Sequence, residues 1–79
     1  MNKWLRAELD YWQSQKSQSL ATLELYFNSS VGIGEHSDIS KEIHEWTGKL
    51  SESIENLENL KSFFGKDGKV KTEKTLLKD

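Results

Sequence analysis

Residues 31–36 are the segment of this chain whose residue types could do chemistry. The segment consists of Val31, Gly32, Ile33, Gly34, Glu35 and His36. Glycines that precede a helix can present backbone N–H groups to an anion. However, no strand is predicted before the segment, no Gly-Lys-Ser/Thr follows it, and the dinucleotide fingerprint is absent. We therefore favour a hairpin turn, in which the glycines adopt positive φ angles and the two aliphatic residues close the end of a helical bundle.

Histidines and carboxylates near this segment allow a metal cluster to be drawn. Glu35, Asp38 and Glu42 lie near His36 in the sequence, and His44 follows eight residues after it. The chain has neither a histidine pair four residues apart nor the HExxH pattern, and surface histidines among carboxylates are common. No spacing of serine, histidine and carboxylate residues indicates a nucleophile and its base. We expect no metal, no other cofactor and no enzymatic activity.

A helix is predicted before the loop, over residues 2–29. Mostly apolar residues recur there at steps of three or four, as in a helix with one buried face. They are Leu5, Leu9, Trp12, Lys16, Leu20, Leu23 and Phe27. Lys16 fits this series because its aliphatic stem can lie along an apolar surface.

A second helix is predicted over residues 38–64, with a heptad seam whose steps alternate strictly between four and three. The seam is Ile39, Ile43, Trp46, Leu50, Ser53, Leu57, Leu60 and Phe64. Ser53 is its one polar member, and Ile54 beside it is placed to fill the gap. Ser37 or Asp38 is expected to cap the start of the helix, and Gly65 is expected to end it as a left-handed cap.

The two helices and the loop over residues 30–37 predict an all-α fold, an antiparallel, coiled-coil-like hairpin over residues 1–65. Centring the turn near Ile33 pairs Leu23 with Ile43 and Leu9 with Leu57. Residues 66–79 are predicted to form a lysine-rich, partly disordered tail.

A second apolar stripe lies beside the seam of the first helix and predicts an interface. It consists of Trp4, Tyr11, Gln18 and Leu25 at heptad spacing, and Phe63 on the second helix also lies off its seam. A two-helix hairpin cannot bury both stripes by itself. Two hairpins side by side could bury them in a four-helix bundle, so we expect a homodimer, with a host protein as the alternative partner.

The basic tail suggests a different partner. It contains Lys66, Lys69, Lys71, Lys74 and Lys78, in a chain whose net charge is −2. A basic tail on an acidic body could bind a nucleic-acid backbone. The tail has no aromatic residue on which a base could stack, so a nucleic-acid accessory role is the alternative rather than the first interpretation.

Composition limits the remaining possibilities. The 79 residues are enough for one small domain and include neither Cys nor Pro, which excludes disulfides and suits long helices. No apolar run approaches the roughly 20 residues of a membrane span. The first residues lack the apolar core of a signal peptide, so a cytoplasmic protein without membrane contact is expected.

Residues 23–64, LELYFNSSVGIGEHSDISKEIHEWTGKLSESIENLENLKSFF, resemble small, uncharacterised proteins of tailed bacteriophages. In that group an LYxxNPVGIGEH type of segment ends one helix, and a second helix ending in aromatic residues follows. Ser29 and Ser30 stand here where the pattern often has Asn-Pro. The resemblance implies a phage-encoded accessory protein in the host cytoplasm and implies no activity. Together with the two stripes, it suggests a non-enzymatic helical protein that acts through protein–protein contacts.

Overall fold

Two antiparallel helices make up most of the structure, a computed structural model that describes residues 1–28 and 38–71. Helix α1 spans Lys3–Asn28 and helix α2 spans Ile39–Phe63. The helices pack against each other, and the described residues contain no strand. The all-α hairpin expected from the sequence is thus confirmed, and each helix is one residue shorter at each end than predicted.

A capping side chain marks the start of α1, and charged residues favour both ends of α2. The side-chain Oδ1 of Asn2 accepts a hydrogen bond from the backbone N–H of Leu5 at 3.0 Å, which makes Asn2 the N-cap of α1. Asp38 is the N-cap residue of α2, but its side chain makes no capping hydrogen bond. Glu42 in the first turn of α2 and Lys61 in its last turn oppose the partial charges of the helix ends.

The seam of α2 follows the prediction, whereas the seam of α1 departs from it. All eight predicted positions of α2 are buried or half-buried. On α1, Leu20 and Phe27 were expected inside, but they are 49% and 66% exposed. Ser19 and Tyr26 lie inside instead. The strict alternation of four and three therefore continues along α1 as Leu5, Leu9, Trp12, Lys16, Ser19, Leu23 and Tyr26. A helix packed along a partner with a 3.5-residue repeat must keep that repeat itself, whatever the apolarity of the neighbouring residues.

Two contacts near the ends of the hairpin depart from the predicted pairing. The Tyr26 hydroxyl donates to Oε1 of Glu42 at 3.1 Å, whereas a turn centred on Ile33 would place Tyr26 opposite Ser40. At the other end of the hairpin, Asn2 meets Lys66 rather than residue 64. In both contacts, the residue that meets α1 or its cap lies two positions later in the sequence than the predicted pairing would place it. The prediction had aligned Leu20 and Phe27 with α2, and these two residues do not face it.

Two fully buried serines lie in the seam, Ser19 on α1 and Ser53 on α2. The Ser19 hydroxyl donates to the carbonyl oxygen of Gln15 at 2.8 Å, and the Ser53 hydroxyl donates to that of Lys49 at 2.7 Å. In the described residues, no buried side-chain nitrogen or oxygen lacks a partner. Ile54 does not fill the gap at Ser53, because it points outward and is 38% exposed.

A hairpin turn follows α2 and contains the first part of the predicted tail. Phe64 is extended and pairs with Val70 in a single antiparallel bridge. The N–H of Gly65 donates to the carbonyl of Lys69, and the N–H of Gly68 donates to that of Gly65, both at 2.9 Å. Gly68 has a φ of +85°, as expected for a three-residue hairpin loop that closes on a left-handed glycine. The left-handed cap predicted at Gly65 is therefore wrong, because the chain turns left-handed three residues later.

Candidate interaction surface on helix α1

Each interface residue predicted from the sequence is exposed. On α1 the exposed fractions are 86% for Trp4, 52% for Tyr11 and 64% for Leu25, and Gln18 is also exposed. Phe63 on α2 is 46% exposed. The hairpin therefore leaves unburied the large side chains that its own seam does not use.

Three small residues that were not predicted to belong to the interface lie on the same face as the stripe and form a second series at heptad spacing. Ala7, Ser14 and Ala21 lie three residues after Trp4, Tyr11 and Gln18, and all three are exposed. The combined series alternates steps of three and four, as one face of a helix requires. We call it the outer face of α1; it comprises Trp4, Ala7, Tyr11, Ser14, Gln18, Ala21 and Leu25. Hydropathy could not reveal the small residues, but their spacing could have.

Two shallow depressions lie along α1 where the outer face is lined by alanine. Ala21, Glu24, Leu25 and Asn28 line the first. Lys3, Arg6, Ala7 and Asp10, together with Met1, line the second. The four helical residues of each depression have the spacing i, i+3, i+4, i+7. In coiled-coil packing, four residues with this spacing form the hole into which a side chain of the facing helix inserts. The outer face thus offers both protruding side chains and places to receive them.

The edge of the outer face carries opposite charges at its two ends. Lys3, Asp10, Ser17 and Glu24 follow one another at heptad spacing along this edge, and all are exposed. The basic residue lies near the start of α1 and the last acidic residue near its end. In an antiparallel pair of identical helices, such an edge brings its basic end toward the acidic end of the other copy.

Aromatic contacts connect the outer face to the seam. The rings of Tyr11 and Trp12 are 4.8 Å apart at 85°, an edge-to-face arrangement. Trp12 is half-buried, and its Nε1–H donates to Oε2 of Glu8 at 2.9 Å. The exposed Tyr11 ring is therefore held against a ring that packs in the hairpin.

The other flank of the hairpin is also apolar, although less extensive. It contains Leu20, Phe27 and Ile54, the residues that the prediction had placed in or near the seam. Leu25 and Phe27 are two residues apart, which places them about 200° apart around the helix. With 64% and 66% of their surfaces exposed, they are a matched pair for comparing the two flanks.

The lysines of the tail differ in their surroundings. Lys66 and Lys69 are exposed in the hairpin turn, where the backbone N–H of Lys69 bonds the Asp67 carboxylate at 2.9 Å. The ammonium of Lys71 donates to the carbonyl oxygen of Lys61 at 3.0 Å and so caps the last turn of α2. Lys74 and Lys78 lie outside the described residues.

The loop segment with Val31, Gly32, Ile33, Gly34, Glu35 and His36 lies outside the described residues as well. His44 is exposed on α2. Residues 1–28 and 38–71 hold no group of three histidine, aspartate or glutamate side chains arranged to bind a metal ion.

One polar contact joins the helices beside the seam. Partial burial raises the pKa of the Tyr26 hydroxyl, and the hydrogen bond to Glu42 and the negative charge of that carboxylate raise it further. A neutral tyrosine that donates to an ionised carboxylate is a stable pairing at neutral pH. This contact links the two helices near the loop end of the hairpin.

Comparison with known proteins gives no assignment: no family model, no curated protein and no solved structure matches the chain. In the part of the chain that the structure describes, no helix is long and apolar enough to cross a membrane.

Proposed function

We propose that this protein is a non-enzymatic binding module that works through protein–protein contact, with the outer face of α1 as its contact surface. The observation that carries the proposal is the exposure of the outer face. Its large residues, Trp4, Tyr11 and Leu25, are all more than half exposed. Exposed aromatic side chains in a continuous stripe are typical of interfaces, because covering them removes much apolar surface from water. In this proposal the hairpin seam serves as the scaffold that presents this stripe.

An accessory role in a tailed bacteriophage fits this proposal and is part of it. The support is the resemblance of residues 23–64, which includes Tyr26 at the loop end of α1. Small helical modules of this kind act by occupying a surface of another protein and need no catalytic group of their own.

Site-specific photocrosslinking tests the contact surface. A photoreactive phenylalanine analogue replaces Leu25 on the outer face or, as the matched control, Phe27 on the other flank. We expect a discrete crosslinked product from position 25 in the expressing cell, and its loss when Trp4→Asp is added. Equal products from both positions, or products from position 27 alone, would refute the outer face as the contact surface.

Binding of nucleic acid through the basic tail is the second candidate. The exposed lysines 66 and 69 support it, whereas the ammonium of Lys71 is already bonded to a carbonyl oxygen. Contacts to phosphates weaken steeply with salt, whereas an apolar contact does not. A titration of duplex DNA at about 50 and 200 mM salt distinguishes the two candidates, because only phosphate binding loses most of its affinity over that range.

A further inference from the structure

We propose that the outer face of α1 binds the outer face of a second copy of this chain, with the two α1 helices antiparallel about a two-fold axis near residues 12 and 13. This inference rests on the proposed function and names the partner. The spacing of large and small residues and the charges along the edge support it, and the amount of exposed surface sets its expected strength.

The sequence of the outer face is complementary to itself in the antiparallel direction. If Trp4 of one copy lies beside Ala21 of the other, the heptad spacing places Tyr11 beside Ser14 of the other copy. A large side chain then meets a small one in both of these layers, and the two-fold axis repeats each layer. Alternation of large and small residues across facing positions fills the space between two helices without overlap. Trp4, the most exposed large side chain, thus packs at Ala21, beside one of the observed depressions.

The charges along the edge fit the same orientation and register. With Trp4 beside Ala21 of the second copy, Lys3 lies opposite Glu24 of that copy, and symmetry makes this pair twice. In a parallel arrangement this edge of one helix would face the opposite edge of the other, so Lys3 and Glu24 would not meet.

The exposed surface sets the expected strength of the dimer. Fully covered Trp and Tyr side chains bury about 150–250 Å² each, so Trp4 and Tyr11, which are partly buried already, offer on the order of 300 Å² per copy. A standard interface buries about 800 Å² per partner, which the polar edge residues would only partly make up. We therefore expect a small, reversible dimer that dissociates at micromolar concentrations rather than an obligate one.

Sedimentation of the full chain over a range of concentrations tests the dimer. The wild-type protein should change from monomer to dimer in the micromolar range. Trp4→Asp should weaken association at least tenfold, and Phe27→Asp, on the other flank, should change it less than twofold. Circular dichroism of each variant verifies that the hairpin still folds. Loss of the dimer in Phe27→Asp but not in Trp4→Asp would overturn the proposal.

A charge exchange tests the register in a way that folding effects cannot imitate. Lys3→Glu and Glu24→Lys should each weaken self-association by about threefold to tenfold, since each creates two like-charged pairs across the two-fold axis. An equimolar mixture of the two variants should form a heterodimer with an affinity near that of the wild type, because both edge pairs are then attractive. A mixture that associates no better than the separate variants would refute the antiparallel register.

The outcomes separate this inference from the proposed function. If the wild-type chain stays monomeric at several hundred micromolar while position 25 still crosslinks to a different protein, the homodimer is refuted and the contact surface stands. If position 25 gives no product in cells and the purified chain does not associate, both proposals fail.

Discussion

The backbone N–H of Asn2 donates a hydrogen bond to the carbonyl oxygen of Lys66, with 2.7 Å between the nitrogen and the oxygen. The side chain of the same asparagine caps α1 and also reaches the carbonyl oxygen of Asp67 at 3.4 Å. One residue thus joins the first turn of α1 to the hairpin turn that follows α2. Because the two helices are otherwise held by a narrow seam, this junction aligns the open end of the hairpin.

Gly68→Ala tests how much this junction stabilises the fold. Gly68 has a φ of +85°, and a Cβ atom there would lie 2.8 Å from Nδ2 of Asn2. We expect the free energy of unfolding to fall by about 1–2 kcal/mol from the left-handed conformation alone, and further because Asn2 must move. Urea denaturation measures the change. In an Asn2→Gly background the second contribution should vanish, so an identical loss in both backgrounds would contradict the proposed contact.

Gly48→Ala should act in the opposite direction. Gly48 lies in the middle of α2, and a Cβ atom built there meets no atom within 4 Å. Alanine is favoured over glycine inside a helix by about 1 kcal/mol, so thermal and chemical unfolding should both show a stabilised protein. Gly65→Ala is the control, because its Cβ would lie 3.3 Å from Oδ1 of Asp67 and no such gain is expected. A stability loss in Gly48→Ala would show that another chain approaches this position.

The seam of α2 could be predicted from the sequence, whereas two of the seven positions of the α1 seam could not, for a physical reason. On α2 seven of the eight seam residues are apolar, so hydropathy and heptad spacing indicate the same face. On α1 the two signals separate at Ser19, where spacing selects a small polar residue and hydropathy selects Leu20. A serine can be buried there because its hydroxyl bonds the Gln15 carbonyl oxygen, a contact that hydropathy does not register.

The hairpin turn and the full outer face were missed for related reasons. The dipeptide of Asp67 and Gly68 is a known hairpin signal, but lysines surround it and suggest a solvated tail. The large residues of the outer face were recognisable from the sequence because they are mostly apolar, recur at heptad spacing and lie off the predicted seam. Ala7 and Ala21 gave no such contrast, and only their spacing relative to Trp4 and Gln18 includes them in the same face.

Leu57→Ala tests the assignment of the core. Leu57 and Leu23 are the two most buried apolar residues, each 6% exposed. Truncating Leu57 removes apolar contacts and leaves a cavity, so the free energy of unfolding should fall by about 2–5 kcal/mol. Gln18→Ala, on the exposed outer face, should change the stability of the monomer by less than about 0.5 kcal/mol. Denaturation at concentrations below the dimer range makes the comparison, and equal effects of the two substitutions would mean that the faces are wrongly assigned.

The Tyr26–Glu42 contact predicts a tyrosine that ionises late. Partial burial, followed by the hydrogen bond and the charge of Glu42, raises the pKa of Tyr26 above its ordinary value of 10.0. The chain has two tyrosines, so a Tyr11→Phe variant reports Tyr26 alone through its ultraviolet absorbance. We expect the titration midpoint of this folded variant to lie above that of the same protein in denaturant.

The sign of the linked stability change follows from that shift. A group whose pKa is higher in the folded protein stabilises it fully below the unfolded pKa, near pH 10, and this contribution is lost as the pH rises through the folded pKa.

Glu42→Gln removes the carboxylate charge and keeps a side chain that can accept the hydrogen bond. The titration midpoint of Tyr26 should therefore fall toward the ordinary value without reaching it, because partial burial remains. Lys49→Gln, on the same helix beside Trp46, is the control and should leave the midpoint nearly unchanged. A midpoint that stays the same in Glu42→Gln would show that the carboxylate does not bond Tyr26 in solution.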